Sequence, residues 1–185
     1  SNIPRISKNI EDICDAFGRP VRLRDHVRAT FPTPQALAEA GEQRLRRLGL
    51  GYRAGYLAAT ARTIADGRLD LMALRGADYG EALEKLTGLS GVGDKVANCV
   101  LLFSLDKPEA FPVDVWVRRA ILRWYLQGED RKGSTKGLRM WAQEHFGPYA
   151  GYANQYLFHD TRHGDTGRGA PASPRSPTAP SRAQR

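Results

Sequence analysis

Lys95 and Asp114 are the two side chains whose placement in this sequence suits covalent chemistry. Lys95 follows the turn Leu89-Ser90-Gly91-Val92-Gly93 and precedes the apolar run Val96 to Leu105. It therefore falls in the first turn of a predicted helix, the positive end of the helix dipole, where a cation is disfavoured. A neutral amine is what a nucleophilic, imine-forming lysine requires. Gly91 and Gly93 read as turn glycines with positive φ, which bring backbone N–H groups close to a ligand. Those groups point outward where the next helix begins, an arrangement that suits a phosphate. Asp114 follows Pro112-Val113 at an N-cap position, ahead of an amphipathic run with Val117, Ile121 and Leu122 on one side.

Each feature has an ordinary use as well. A G-x-G turn can simply connect two helices, a lysine near a helix start can be a solvated charge, and an aspartate can be a cap. The conjunction is harder to assign to such uses: a glycine turn, a lysine four residues after its first glycine, then an aspartate opening V-D-V-W.

The elements that must hold these residues are mostly helical. Ile6, Ile10, Ile13 and Phe17 recur at helical spacing, and Gly18 ends the pattern. Residues 19–32 show no clear period. Thr33-Pro34 predicts a helix start, with one short helix through Ala40 and another from Gly41 to Leu48. A second glycine turn, Leu48 to Arg53, precedes a helix over Ala54 to Ala65, which Asp66-Gly67 breaks. Leu69 to Leu74 reads as a short helical piece, and Asp78 caps the helix that leads into the central turn. Asp106-Lys107-Pro108 breaks the apolar run, and Gln127 to Gly133 is a polar loop. Ser134 caps a helix bearing Leu138, Trp141, His145 and Phe146, and Tyr149 to Arg162 forms the last one. The expectation is a mainly α, orthogonal helical domain with a central helix-hairpin-helix over residues 1–162. Residues 163–185 carry proline at every third position from Pro171 and no apolar residue larger than proline, which predicts a disordered basic tail.

Composition narrows the partner. The 185 residues suffice for one compact domain, and 28 Lys+Arg against 20 Asp+Glu give a formal net charge of +8. A basic surplus of this size suits a polyanion, though a merely basic protein would show it too. Two cysteines, Cys14 and Cys99, make neither a disulfide framework nor a four-cysteine iron–sulfur site, and an intracellular protein is expected. No membrane-length apolar run or signal peptide occurs. The chain opens without Met, at what reads as a helix start, so a fragment is expected.

The motifs LSGVGDKVANC and PVDVWV, with NIPRISKNIEDICDAFG, LGLGYRAGYL and FGPYAGYANQYLF, resemble the helix-hairpin-helix–GPD superfamily of DNA glycosylases. Within it they are most similar to the 8-oxoguanine DNA glycosylase/lyase family. The resemblance covers roughly residues 1–160 and implies damaged double-stranded DNA as partner, a monomer, and base-excision repair by glycosylase and abasic-site lyase action. A relative acting on another lesion and a non-catalytic DNA-binding protein are the alternatives. It makes Lys95 the nucleophile at C1′ and Asp114 the group that stabilises positive charge at the sugar. Cys99 and Phe158 would flank the flipped base, although a core cysteine fits the sequence at position 99 equally well. Asn154 stands where a glutamine usually reads the Watson–Crick edge. DNA contacts fall to Asn2, Arg5, Tyr52, Arg53, Gly91, Gly93, Val96, Trp116 and Arg118. In that set Tyr52 is the wedge beside the flipped nucleotide, and Arg5 and Arg53 meet the orphaned base. Trp116 departs from the phosphate-contacting histidine of the animal enzymes, which passes that contact to Arg118 or Arg119. The family requires no cofactor, but the backbone carbonyls of Thr87, Leu89 and Val92 stand about where its members hold a monovalent or divalent cation. The resemblance also implies an N-terminal sheet domain that these residues do not contain.

Overall fold

A computed structural model describes residues 3–127 and 134–163. Asn2, most of the polar loop and the tail beyond position 163 lie outside the described residues. The described elements, in chain order, are α1 (Ile3–Phe17), β1 (Pro20–Leu23), β2 (His26–Ala29), α2 (Pro34–Leu45), a π-helical turn (Arg46–Leu50) and α3 (Arg53–Ala65). They continue through α4 (Leu71–Gly76), α5 (Tyr79–Thr87), α6 (Asp94–Ser104), α7 (Val115–Trp124), α8 (Thr135–Phe146), a 3-10 turn (Gly147–Tyr149) and α9 (Ala150–His163).

Local chemistry explains most helix starts. Side-chain oxygens of Thr33, Asp70, Asp78, Asp114 and Ser134 accept from backbone N–H groups in the first turns of α2, α4, α5, α7 and α8. Gly41 breaks α2 with φ +70°, where the sequence places a boundary between two helices.

Packing falls into three clusters that follow the chain. In the first, Leu45 and Leu50 meet Ala54, Ala58 and Ala61, whose small side chains at helical spacing let α3 lie close against α2. The second joins α4 to α6 around Leu74, Ala82, Leu86, Ala97 and Leu101. The third joins α7 to α9 around Phe111, Val117, Ile121, Leu138, Ala142 and Leu157.

The structure adds to or departs from the sequence reading in three segments. Residues 20–29 form an antiparallel hairpin, Pro20 paired with Ala29 and Leu23 with His26, where no period was legible. Its apolar residues Val21, Leu23 and Val27 are exposed, so no buried face imposes an alternating pattern. On α1 the helical spacing holds, but only Ile13 is buried, while Ile6 and Ile10 remain exposed. The π-helical turn at Arg46–Leu50 replaces the last turn of the helix expected to run to Leu48.

Candidate active site and nucleic-acid interface

The site begins at the turn between α5 and α6. Leu89 N donates to Leu86 O and Val92 N to Leu89 O, both at 3.1 Å, which winds the chain tightly ahead of α6. Gly91 takes φ +78°, and a Cβ there would stand 2.3 Å from Cδ2 of Tyr56, so glycine is required twice over. Gly93 corrects the sequence reading: its φ is −91° and a Cβ would meet nothing within 4 Å. It serves instead as an N-cap without a side chain, so the first turn of α6 has no side-chain cap. Lys95 and Val96 lie in that turn and are exposed. Cys99, one turn on, is half-buried. Thr87, Leu89 and Val92 all lie on or beside this turn, and the Leu89 carbonyl keeps a second lone pair beyond its bond to Val92.

Asp114 sits half-buried at the head of α7, its Oδ1 accepting from Trp116 N and Val117 N, both at 2.9 Å. The segment leading to it is tied down residue by residue. Gly151 N donates to Pro108 O at 2.7 Å, Gln143 Nε2 to Glu109 O at 2.9 Å, Asn98 Oδ1 accepts from Phe111 N at 3.2 Å, and Asn154 Nδ2 donates to Pro112 O at 2.8 Å. Gly151 permits this approach, since a Cβ there would lie 2.3 Å from Leu102 Cδ1 and 2.8 Å from Pro108 O.

Asn154 therefore differs from its expected presentation. It is 3% exposed, one N–H of its amide donates to Pro112 O, and its Oδ1 accepts from Gln155 Nε2 at 3.3 Å. Phe158, four residues on, is half-buried against the third cluster with the Arg162 guanidinium 5.8 Å from its ring centre. A cavity of about 360 Å³ opens between the end of α6 and the start of α9, lined by Leu102, Phe103, Gly151, Tyr152 and Gln155 among others. Phe103 lies about 12 Å along α6 from Lys95 at the usual helical rise, so this cavity lies away from the lysine.

The turn that carries Tyr52 and Arg53 joins the hairpin from the other side. Tyr52 is 63% exposed, stacks edge-on with Tyr56 at 6.1 Å, and carries the Arg53 guanidinium 4.6 Å from its ring centre. Arg5 Nη2 donates to Gly49 O at 3.4 Å, just before this turn. Arg5, Tyr52, Arg53 and, through Tyr56, Gly91 thus belong to one contiguous region. Trp116 is half-buried with the Arg119 guanidinium 5.2 Å from its ring centre.

Sequence reasoning missed a buried polar network behind Lys95. Arg139, 5% exposed, donates through Nε to both oxygens of Asp94 at 3.0 and 3.2 Å, and through Nη1 to Tyr79 Oη at 3.0 Å and Gln143 Oε1 at 2.9 Å. Tyr79 Oη donates to Asn98 Oδ1 at 2.7 Å. Burial pushes the Tyr79 phenol above its ordinary value, against the opposing pull of the Arg139 guanidinium, so it keeps its proton as a donor. The available signal was Asn98, a polar residue at a buried phase of an otherwise apolar run.

No helix among the described residues is long and apolar enough to cross a membrane. Residues 1–143 match the HhH-GPD superfamily of base excision DNA repair proteins. A probable N-glycosylase/DNA lyase of Methanothermobacter thermautotrophicus is 36% identical over 87% of this chain and 56% of its own length. The 8-oxoguanine glycosylase/lyase of Clostridium acetobutylicum, solved with double-stranded DNA containing cytosine opposite 8-oxoguanine, superposes with a TM-score of 0.82. It is 35% identical, with 89% of this chain and 56% of that one covered. A 3-methyladenine DNA glycosylase of Archaeoglobus fulgidus superposes with a TM-score of 0.71 at 32% identity, over 89% of this chain and 55% of its own. The chain spans about half the length of these relatives.

Proposed function

The chain belongs to the HhH-GPD superfamily of base excision DNA repair proteins, and from that membership we propose that it is a bifunctional DNA glycosylase and abasic-site lyase. Its partner is damaged double-stranded DNA, and its lesion 8-oxoguanine opposite cytosine. The observation that carries this reading is Lys95, exposed on an uncapped first turn of α6 directly after the Gly91 turn, together with Asp114 on a segment tied to the same helix through Asn98. A cap-free helix start offers N–H groups to a DNA phosphate, and the turn delivers the amine beside it.

Each residue then has a chemical task. Tyr52 fills the space left when the nucleotide flips, and Arg5 and Arg53 meet the orphaned base. Lys95 Nζ forms a bond to C1′ as the N-glycosidic bond breaks and the base leaves with its electron pair. The Asp114 carboxylate stabilises the positive charge that develops at the sugar. Ring opening gives the protonated imine, loss of a C2′ proton drives β-elimination, and the C3′–O bond breaks to nick the strand 3′ to the lesion. Cys99 and Phe158 flank the base. Asn154, with one amide N–H donated to Pro112 O, keeps a second N–H and an oxygen lone pair for the base edge. Gly91, Gly93 and Val96 contact the backbone, with Trp116, Arg118 and Arg119 extending the contact. The Thr87, Leu89 and Val92 carbonyls would hold a cation, whose charge would favour a DNA phosphate nearby. The protein acts as a monomer inside the cell.

Strand nicking on duplexes with a single 8-oxoguanine opposite cytosine, a single 3-methyladenine or no lesion tests the assignment. Cleavage confined to the 8-oxoguanine duplex is expected. Cleavage confined to the 3-methyladenine duplex would transfer the chain to the alkylated-purine branch, and binding without cleavage of any duplex would make it a DNA-binding protein.

A further inference from the structure

We propose that Arg139 is a positioning residue for the lysine chemistry: through Asp94 and Asn98 it fixes the first turn of α6, which carries Lys95, against the segment that ends in Asp114. This rests on the reading of Lys95 and Asp114 as the reacting pair. The two belong to different parts of the interior. Lys95 rides on α6, whose Ala97 and Leu101 pack in the second cluster, whereas Asp114 heads α7, whose Val117 and Ile121 pack in the third. Apolar clusters fix their own helices well but are non-directional, so a polar joint is the natural means of setting one against the other.

Arg139 occupies that joint. It is anchored on α8 between Leu138 and Ala142, and its Nε is shared between both oxygens of Asp94, the residue next to Lys95. Its Nη1 holds Tyr79, whose hydroxyl holds Asn98 Oδ1, and that same oxygen accepts from Phe111 N, three residues before Asp114. Asn98 Nδ2 closes the loop on Asp94 O at 2.8 Å. Among the described residues, Asn98, Arg139 and Asn154 are the buried polar or charged ones, and all three are bonded to this joint or to the segment it holds. Gln143 adds a fourth attachment, bonded both to Arg139 and to Glu109 O. A buried cation maintained for stability alone could be replaced by packed apolar groups. Here its donors converge on the first turn of α6 and, through Asn98, on the approach to Asp114.

The test measures two quantities on each variant, at a temperature where it is folded by circular dichroism. One is the single-turnover rate of nicking an abasic-site duplex at saturating enzyme. The other is Kd for a duplex containing a tetrahydrofuran abasic analogue. Arg139→Met is expected to lower the rate by about 10²-fold, the scale of a ~1 Å misplacement, with Kd changed by less than about threefold. The double variant Asp94→Asn/Arg139→Gln, which restores a neutral hydrogen-bonded pair, is expected to recover part of that loss. Ser134→Ala removes the cap of the same helix without touching the network, and is expected to lower Tm and leave the rate unchanged. Should Arg139→Met not fold, Tyr79→Phe deletes only the bridging hydroxyl and is expected to show a smaller loss of rate in the same direction. A folded Arg139→Met, or failing that Tyr79→Phe, that nicks as fast as Ser134→Ala overturns the proposal. Wild-type protein that does not nick abasic DNA overturns instead the reading on which it rests.

Discussion

The turns Leu48–Arg53 and Ser90–Lys95 share a plan. Each has two glycines one residue apart ahead of a helix, and the first glycine is left-handed in both, Gly49 at φ +81° and Gly91 at +78°. The helices they lead into, α3 and α6, start without a side-chain cap, unlike α2, α4, α5, α7 and α8. The two turns differ in the side chains they present and in the support behind them. The first turn presents Tyr52 and Arg53, stacked on one another at the surface. The second presents Asp94 and Lys95, with Asp94 gripped from inside by Arg139. The wedge proposed at Tyr52 works by filling space and tolerates some rotation. The nucleophile proposed at Lys95 must meet one carbon along one line, so its helix turn needs anchoring in every direction.

That contrast predicts a graded series. The largest effect belongs to the chemical side. Asp114→Asn keeps the shape and some capping ability but loses the charge, so the rate of base release should fall ~10²–10³-fold, or roughly 3–4 kcal/mol, in single-turnover assays. Adduct formation at a preformed abasic site, where no base must leave, should survive in part. On the wedge side, Tyr52→Ala should slow excision of an intact lesion by the few kcal/mol that unstacking costs, about 10–100-fold, and leave abasic-site nicking almost unchanged. Equal loss on both substrates would erase the division between the turns. The smallest effects concern the glycines. Gly49→Ala meets nothing within 4 Å, so only its positive φ should cost stability, roughly 1–2 kcal/mol by denaturant unfolding. Gly91→Ala must also displace Tyr56, whose Cδ2 stands 2.3 Å from the new Cβ, and should cost more and weaken duplex binding as well. Equal costs would show that Tyr56 gives way freely.

Most helix starts were legible because their signals are local. Thr33, Asp78, Asp114 and Ser134 cap helices through bonds to residues two or three ahead, so a short window contains the whole interaction. The hairpin at Pro20–Ala29 was not legible, since neither face of it is buried. The conformation of Gly93 was not either, because a second turn glycine can serve by lacking a side chain as well as by taking positive φ. Arg139 was not legible because only Gln143 among its partners is local, and Asp94 and Tyr79 are 45 and 60 residues away. Asn154 shows the same limit in reverse. Its position along the chain suggested an amide offered to a base, but only the folded segment before Asp114 shows that one of its N–H groups donates to Pro112 O.

Borohydride trapping of Lys95 tests the central claim most directly. Wild-type protein incubated with an abasic-site duplex and borohydride should give a covalent protein–DNA adduct, mapped by peptide sequencing to Lys95. Lys95→Gln keeps nearly the length and loses the amine, so it should give neither adduct nor nick while binding a tetrahydrofuran duplex nearly as well as wild type. An adduct that persists in Lys95→Gln and maps to another amine, with nicking retained, would contradict the account.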